Sequence, residues 1–490
     1  MSKAWEIEDF LSERENQLLI DGVTAAELAN EYGTPLFVFS ESRIKHNIAR
    51  LQKAENYIDC AFKVCYAAKA NSNMAILRAV KDANCDLEVN SGGELWKALK
   101  IGFKGAQIIF NGTSKEVWEI ENAINAEVYA IQADSLYELS LIEETARRLN
   151  KRANVSLRLV PEIETDTHSG LQTALLTSKF GMMPDEALSA FHTYKDSEFL
   201  DLCGVHLHIG SQNPAAEPYS EALQTLFDSL VKIFEETGLK LSHINLGGGF
   251  PVNYLRDNSH EIDFPQARRE MFSADFDPAD AIKNAWQTIK KAARNSNAEH
   301  LLENITLLIE PGRSVISDAG VCLTTVRNRK ERPIKSGESR VESRESETKD
   351  LNLATRDSRL STDSWLLTDA GFNILLSMET YKWYYHLIHA TRAGEAHNFP
   401  YKLAGPLCDG GDVYFDIEGE GRLPDHRLLP ENIQPSEVLA LLNCGAYSIA
   451  QMFQYNGRFL PSVVLVRETG TVELIRKRDG FDDLITNDIW

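Results

Sequence analysis

Phe62-Lys63-Val64-Cys65-Tyr66-Ala67-Ala68-Lys69-Ala70 is an apolar, strand-prone run that closes on a lysine, and seven similar runs follow it, most ending in polar or glycine-rich residues. By β-branched and aromatic enrichment the eight candidate strands are 62–69, 86–90, 107–111, 128–133, 154–160, 203–209, 243–246 and 305–310. Between most of them apolar residues recur at i, i+3 and i+4, which predicts helices such as Ser72–Asn84, Ser135–Asn150, Glu217–Glu236 and Ala279–Arg294. Parallel neighbours need a long crossover, so strand and helix alternating eight times over about 250 residues predict an α/β fold, a (β/α)8 TIM-like barrel. An open doubly wound sheet permits the same alternation; the count of eight favours closure.

In such a barrel eight loops converge at the C-terminal ends of the strands. Lys69 ends the first run, Glu88-Val89-Asn90-Ser91-Gly92-Gly93-Glu94 follow the second, and Asn111-Gly112 end the third. His206 and His208 close the sixth, Gly247-Gly248-Gly249 the seventh, and Glu310-Pro311-Gly312-Arg313 the eighth. Each signal alone has an ordinary explanation. A triple glycine is usually a tight turn, a strand-end lysine usually reaches for solvent, and a histidine in an apolar run is usually a satisfied core residue. Their convergence is what carries weight. An amine, an imidazole, a glycine loop whose N–H groups can cradle a phosphate, and a Glu/Arg pair would share one mouth. These are the parts a pyridoxal-phosphate site needs: the amine forms a Schiff base and the carboxylate faces the pyridinium nitrogen.

Eight ordered motifs then carry a family resemblance. They are Tyr66-Ala67-Ala68-Lys69-Ala70-Asn71, Asn90-Ser91-Gly92-Gly93-Glu94-Leu95, Ser178-Lys179-Phe180-Gly181, His206 through Gln212, Gly247-Gly248-Gly249-Phe250, Glu310 through Ser314, Cys408-Asp409-Gly410-Gly411-Asp412 and Gly445-Ala446-Tyr447. Over residues 20 to 470, with one interruption, the chain resembles the fold-type III, pyridoxal-phosphate-dependent decarboxylases of the diaminopimelate/ornithine family, and in wording the diaminopimelate branch. The resemblance implies the fold of alanine racemase and ornithine decarboxylase, a barrel with a second, all-β domain. It implies that Lys69 carries the cofactor as a Schiff base, that His208 packs on the pyridine face and that Glu310 keeps the ring nitrogen protonated. N–H groups around Gly248 and Gly249, with Gly312, Arg313 and the Tyr447 hydroxyl, would hold the phosphate and its surroundings. Cys408 would come from the second subunit of a homodimer to reprotonate the carbanion. Asp409 would receive the far end of the substrate, which Arg313, Tyr381 and Tyr447 would also touch.

These roles make physical sense. The carbanion left by departing carbon dioxide needs a protonated ring as electron sink, and a carboxylate beside the ring nitrogen favours that proton. A thiol next to an acidic residue stays protonated near neutral pH, which suits a proton donor.

One departure bears on the substrate. The diaminopimelate branch carries an arginine after its Asp-Ala-Gly-x-Asn segment to bind a distal carboxylate, followed by a tyrosine. Here the segment is Asp369-Ala370-Gly371-Phe372-Asn373-Ile374-Leu375-Leu376-Ser377-Met378-Glu379-Thr380-Tyr381, so the tyrosine is kept and Ser377 stands for the arginine. An unpaired substrate charge in a closed site costs roughly 3–5 kcal/mol, which argues against diaminopimelate and for a distal amino or other polar group. Diaminopimelate decarboxylation proper, amino-acid racemisation and a non-catalytic homologue serving as a binding partner are the alternatives. A racemase would have a tyrosine base and no use for Cys408-Asp409, and silent homologues typically lose the lysine or the cysteine. Glu88 is a second departure, standing where the family more often has aspartate.

Composition bounds the remainder. A chain of 490 residues with 43% hydrophobic content exceeds one ordinary domain. The barrel is expected over 36–312. Residues 1–35 and 313–490 are expected to form the β-domain, with short runs at Ser364–Leu367, Val438–Leu442, Ser462–Arg467 and Thr471–Arg476. Residues 328–363, rich in Arg, Lys, Glu and Ser without an aromatic residue, read as a disordered insertion. A net charge of −21 argues against nucleic acid or anionic membrane as partners. There is no bilayer-length apolar run and no apolar secretory core at the N-terminus. Seven cysteines at irregular spacings, with no zinc-type pair, suggest reduced thiols and a cytoplasmic setting.

Overall fold

The structure is a computed structural model that describes residues 3–160, 178–256, 264–274, 276–333 and 362–489. Eight parallel strands close into a barrel: Ala61–Ala67, Asp86–Val89, Ile108–Phe110, Ala130–Ala133, Ala153–Arg158, Leu200–His206, His243–Asn245 and Thr306–Ile309, the last pairing with the first. Each coincides with a run expected from the sequence, because strands covered on both faces must be apolar throughout and so stand out from the helices between them. Register sets which strand ends meet. Ala67 pairs with Glu88 and His206 with Asn245, which brings their C-terminal ends level at one mouth. Lys69 lies just beyond its strand, in the 3-10 turn Ala68–Ala70.

The helices outside the barrel follow from local chemistry. Pro278–Asn295 starts where the Asp277 side chain accepts from the Ala279 N–H and Pro278 takes the first position, which needs no donor. Its Ile282, Ala285, Trp286, Ile289 and Ala293 are buried at helical spacing and pack toward Glu217–Thr237. Covering each large side chain contributes about 1.5–3 kcal/mol. Glu217–Thr237 ends where Gly238 turns left-handed at φ 75°.

A second sheet is built around the long strand Gly320–Pro333. Its first part pairs with Leu36–Ser40 on one side and Val438–Leu441 on the other. Leu36–Ser40 is therefore a strand of this sheet, where the expected boundary at 36 gave it to the barrel; Ser462–Val466 pairs with its other edge in parallel. An apolar pentapeptide suits either sheet by itself, and only the partner across the ladder distinguishes them. The N-terminal hairpin of Leu11–Arg14 and Gln17–Ile20 lies on the same sheet. Trp5, Ile7, Phe10, Leu18 and Ile20 share a core with Val321, Leu323, Ile388 and Val464, and the Leu18 N–H donates to the Ala390 carbonyl at 2.8 Å.

Both ends of the stretch expected as a disordered insertion, 328–363, are ordered. Asn328–Pro333 and Thr362–Asp363 are strand residues, paired from Asn328↔Leu367 to Pro333↔Thr362. Main-chain hydrogen bonds sustain this ladder with exposed Arg, Lys and Glu side chains, so composition misses it. Residues 334–361 of that segment lie outside the described residues.

Candidate active site

The barrel mouth opens into a cavity of about 670 Å³ lined by Lys69, His206, His208, Glu310, Arg313, Ser377, Tyr381 and Tyr447 among others. At its floor Glu310 is buried and accepts from Asn245 Nδ2 at 2.7 Å and from Asn111 Nδ2 at 3.0 Å, with His206 Nε2 at 3.5 Å. Burial favours its neutral form, but His206, Lys69 and the Asn245 amide outweigh burial and hold the carboxyl below the usual carboxylate range. The floor thus presents a fixed negative charge.

Lys69 Nζ lies 3.6 Å from Glu88 Oε1 and 3.5 Å from Asn90 Oδ1. Its side chain is 41% exposed and lines the cavity. Burial lowers the affinity of the amine for its proton; Glu88, then Tyr447 and Glu310, more than restore it, so the ammonium is held above its ordinary value. Glu88, fully buried, moves the opposite way from Glu310: burial above all, then Glu310 and Glu94, push it up to about 7 against the pull of Lys69 and Asn111.

His208 accepts the Gly248 N–H on Nδ1 at 3.0 Å, which leaves the ring hydrogen on Nε2 in the neutral imidazole. Burial, then Lys69 and Arg158, push its pKa well below the ordinary value, so the ring is neutral. Behind it the glycine run is packed backbone to backbone. A Cβ on Gly248 would lie 2.3 Å from the Glu310 carbonyl oxygen, and one on Gly249 2.5 Å from Asn213 Nδ2, so neither position admits a side chain. The Gly248 N–H expected at a phosphate is held within the protein by His208. Gly248, Gly249 and Gly312 back the cavity wall without lining it.

Arg313 enters from the turn after the eighth strand, and tyrosines from distant segments fix it. Its Nη1 donates to Tyr254 Oη at 2.9 Å and its Nε to Ser211 Oγ at 3.2 Å, while the guanidinium lies 4.2 Å from the Trp383 ring centre and 5.0 Å from that of Tyr447. Among the described residues no carboxylate pairs with it, unlike Lys69 with Glu88, Lys115 with Glu138 and Arg158 with Asp134. Arg313 is therefore the lining cation available to an anionic group. Tyr447 is held in a left-handed conformation, φ 56°, by its N–H to the Ala70 carbonyl at 2.9 Å, which ties the second sheet to the lysine turn. Ser377 and Tyr381 lie four residues apart, on and just after the helix Leu376–Thr380, and both line the cavity.

Two expected residues lie elsewhere. Cys408 is exposed, its N–H bonded to Asn456 Oδ1 at 2.7 Å, and Asp409 accepts from Tyr455 Oη at 3.3 Å and the Gly411 N–H at 2.9 Å. Neither lines the cavity of their own chain. Conversely, sequence reasoning passes over Arg158, Asn245, Lys115 and Gln451. Arg158 and Asn245 each end a strand, the same signal that singles out Lys69, while Lys115 sits in a loop and Gln451 ends the short 3-10 turn Ile449–Gln451, neither with a periodic mark.

A closed barrel with a lysine, a neutral imidazole and an ionised floor carboxylate at one mouth, capped by residues of a β-rich sheet, defines a fold-type III pyridoxal-phosphate enzyme. The sequence profile described as pyridoxal-dependent decarboxylase, pyridoxal binding domain, matches residues 42–317. The diaminopimelate decarboxylase of Methanocaldococcus jannaschii is 34% identical over 487 residues, covering 98% of this chain and 97% of the relative, and that of Aquifex aeolicus is 30% identical over 480 residues with the same coverage. The crystal structure of the M. jannaschii enzyme with L-lysine superposes with a TM-score of 0.80 at 33% identity over 98% of both chains. The chain belongs to the pyridoxal-dependent decarboxylase family, in its diaminopimelate/ornithine group, and is a pyridoxal-phosphate-dependent amino-acid decarboxylase. The cavity fits that cofactor. Its size is that of a ligand pocket, its floor carboxylate is ionised, and Glu88 Oε2 and Asn111 Oδ1 are buried polar atoms without a partner among the described residues.

Proposed function

We propose that the protein decarboxylates an amino acid whose far end carries an amine or an uncharged polar group, with Lys69 as the covalent anchor of the cofactor and Glu310 facing its ring nitrogen. Pyridoxal phosphate, when bound, supplies the protonated conjugated ring that accepts the electron pair as carbon dioxide departs. Glu310 suits that role because its Asn245, Asn111 and His206 neighbours keep it charged. His208 offers a flat neutral face, and Arg313, without a carboxylate partner, offers the cavity's anion-binding charge for the phosphate or a substrate carboxylate. Tyr447 and the closely packed Gly248, Gly249 and Gly312 shape the wall around it.

Ser377 carries the substrate reading. It is buried in the wall beside Tyr381, where a family arginine would meet a distal carboxylate. Diaminopimelate itself is the second reading, favoured by the names of the relatives and by the retention of Tyr381 and Arg313. Carbon dioxide release from lysine, ornithine, arginine, diaminopimelate and carboxylated polyamines separates the two: efficient turnover of diaminopimelate overturns the first.

Cys408 and Asp409, being remote from their own cavity, support a homodimer in which each copy completes the other's site, Cys408 as proton donor and Asp409 at the substrate's far end. Mixing Lys69→Ala with Cys408→Ala protein is expected to restore partial activity; none would refute shared sites. Seven unpaired thiols support a cytoplasmic setting. Among the described residues no helix is long and apolar enough to cross a membrane.

A further inference from the structure

Glu88 has no part in the chemistry assigned so far, yet it is the acid nearest the reactive amine. It is fully buried near the end of the second strand, its Oε1 is 3.6 Å from Lys69 Nζ, and its Oε2 has no partner among the described residues. The same Asn111 amide nitrogen that donates to Glu310 at 3.0 Å donates to Glu88 at 2.8 Å. Two carboxyls thus share one amide and flank one lysine, but their surroundings differ. Glu310 has Asn245 and His206 beside it in addition. Glu88 has Lys69 and Asn111 in its favour, with Glu310 beyond the eighth strand and Glu94 from the following helix opposing its charge and Arg158 also facing it. Where neighbouring carboxyls are driven apart in this way, one serves as fixed charge and the other as proton carrier.

We propose that Glu88 is the proton shuttle for Lys69, handing a proton to Nζ when an incoming amine displaces the lysine from the cofactor and taking it back when the lysine reattaches. The exchange balances without a further reactant. The incoming nitrogen loses two protons and forms a double bond to the carbon; the carbon–Nζ double bond breaks with both its electron pairs left on Nζ, which gains two protons. Glu88 delivers one of them and is recharged from the incoming amine. Its buried carboxyl retains a proton up to about pH 7, within reach of this task, whereas an ordinary glutamic acid would have lost it. The inference rests on Lys69 as the anchor.

The test uses the full-length enzyme loaded with pyridoxal phosphate and displaces Lys69 with methoxyamine, followed by the absorbance of the cofactor, so no substrate need be known and no decarboxylation is read. The wild-type rate is expected to fall as pH rises through about 7. Glu88→Gln, isosteric and still able to accept from Asn111, is expected to be at least ~10-fold slower below that pH and to lose the bend, in keeping with the usual contribution of general acid catalysis. Glu88→Asp is expected to be slower with the bend retained. A Glu88→Gln rate equal to wild type or faster, or with the bend intact, overturns the proposal. A purely electrostatic role predicts the faster rate, since removing the carboxylate frees the lysine of its counter-charge. Should Glu88→Gln not fold, a Glu88→Asp rate and bend identical to wild type overturn it instead. Lys69→Ala keeps the two readings apart: if it retains the lysine-linked absorbance, the anchor assignment fails; if it loses it and Glu88→Gln behaves as wild type, only the shuttle fails.

Discussion

Ser377→Arg should convert the enzyme's preference from amine-ended toward carboxylate-ended substrates. Ser377 is buried in the cavity wall four residues before Tyr381, and a space of about 670 Å³ leaves room for the longer side chain. A guanidinium there would meet a distal carboxylate at the cavity wall, where leaving that charge unpaired and out of water costs roughly 3–5 kcal/mol. Two structural features reduce the gain. Glu379 lies on the same short helix and already holds Lys382 at 2.9 Å, so it competes for a new cation, and Arg313 is already present as a positive charge in the same cavity. Taking the lower end, about 3 kcal/mol, and about 1.4 kcal/mol per factor of ten, the ratio of kcat/KM for diaminopimelate over lysine should rise by roughly 100-fold. The assay is initial-rate carbon dioxide release with both substrates at several concentrations, so that the change is seen in kcat/KM. A rise of less than about tenfold, half the expected effect on a logarithmic scale, or efficient diaminopimelate turnover by wild type, would refute the reasoning that Ser377 excludes a distal anion.

Other perturbations probe the scaffold of the site. Gly248→Ala puts a methyl group 2.3 Å from the Glu310 carbonyl oxygen, a backbone atom that cannot swing aside, and such overpacking costs about 1–3 kcal/mol; cofactor affinity measured by absorbance titration should fall about 5- to 150-fold. Arg313→Lys loses the planar stacking on Trp383 and the fork to Tyr254 and Ser211 while keeping the charge, so KM and cofactor affinity should worsen more than tenfold in at least one case, against no change if Arg313 acts as a point charge alone. Asp318 is buried between Arg43 at 2.6 Å and Arg256 at 3.6 Å; burial pushes its carboxyl up, and the two arginines with Asn47 hold it below its ordinary value. A depressed folded-state pKa means that its stabilisation is present above the ordinary carboxylate range and is lost as pH falls below it. Asp318→Asn should therefore cost about 3 kcal/mol in urea denaturation at neutral pH, with the gap to wild type narrowing in acid.

Much of the site was legible because strand ends in a parallel barrel are where chemistry can gather. Lys69, His208, Glu310 and Arg313 each follow an apolar run that cannot be anything but a buried strand or helix, and closure into a barrel then brings residues 69, 208 and 310 to one mouth without further information. Tyr447 was legible only through motif wording, since the segment that carries it shows no periodicity and reaches the lysine through one hydrogen bond to Ala70. Arg158 and Asn245 bear the same strand-end mark as Lys69 and were passed over because their roles depend on what faces them: Asp134 and Phe180 for the arginine, Glu310 for the asparagine.

The amino-acid sequence by itself determined the barrel, its eight strands, the family and the lysine proposed as the cofactor's anchor, because all of these rest on local periodicity and on short motifs whose residues are adjacent in the chain. Only the tertiary structure decided that Leu36–Ser40 belongs to the second sheet, that Asn328–Pro333 and Thr362–Asp363 are paired strand residues, and that Cys408 does not line the cavity of its own chain. It alone separated Glu88 from Glu310. Both are glutamates at strand ends, and what makes one a fixed charge and the other a proton carrier is the set of partners each meets across the barrel: Asn111 reaches both, while Asn245 and His206 lie beside Glu310. Ladder partners, burial and protonation are properties of neighbours in space, and a linear chain does not display them.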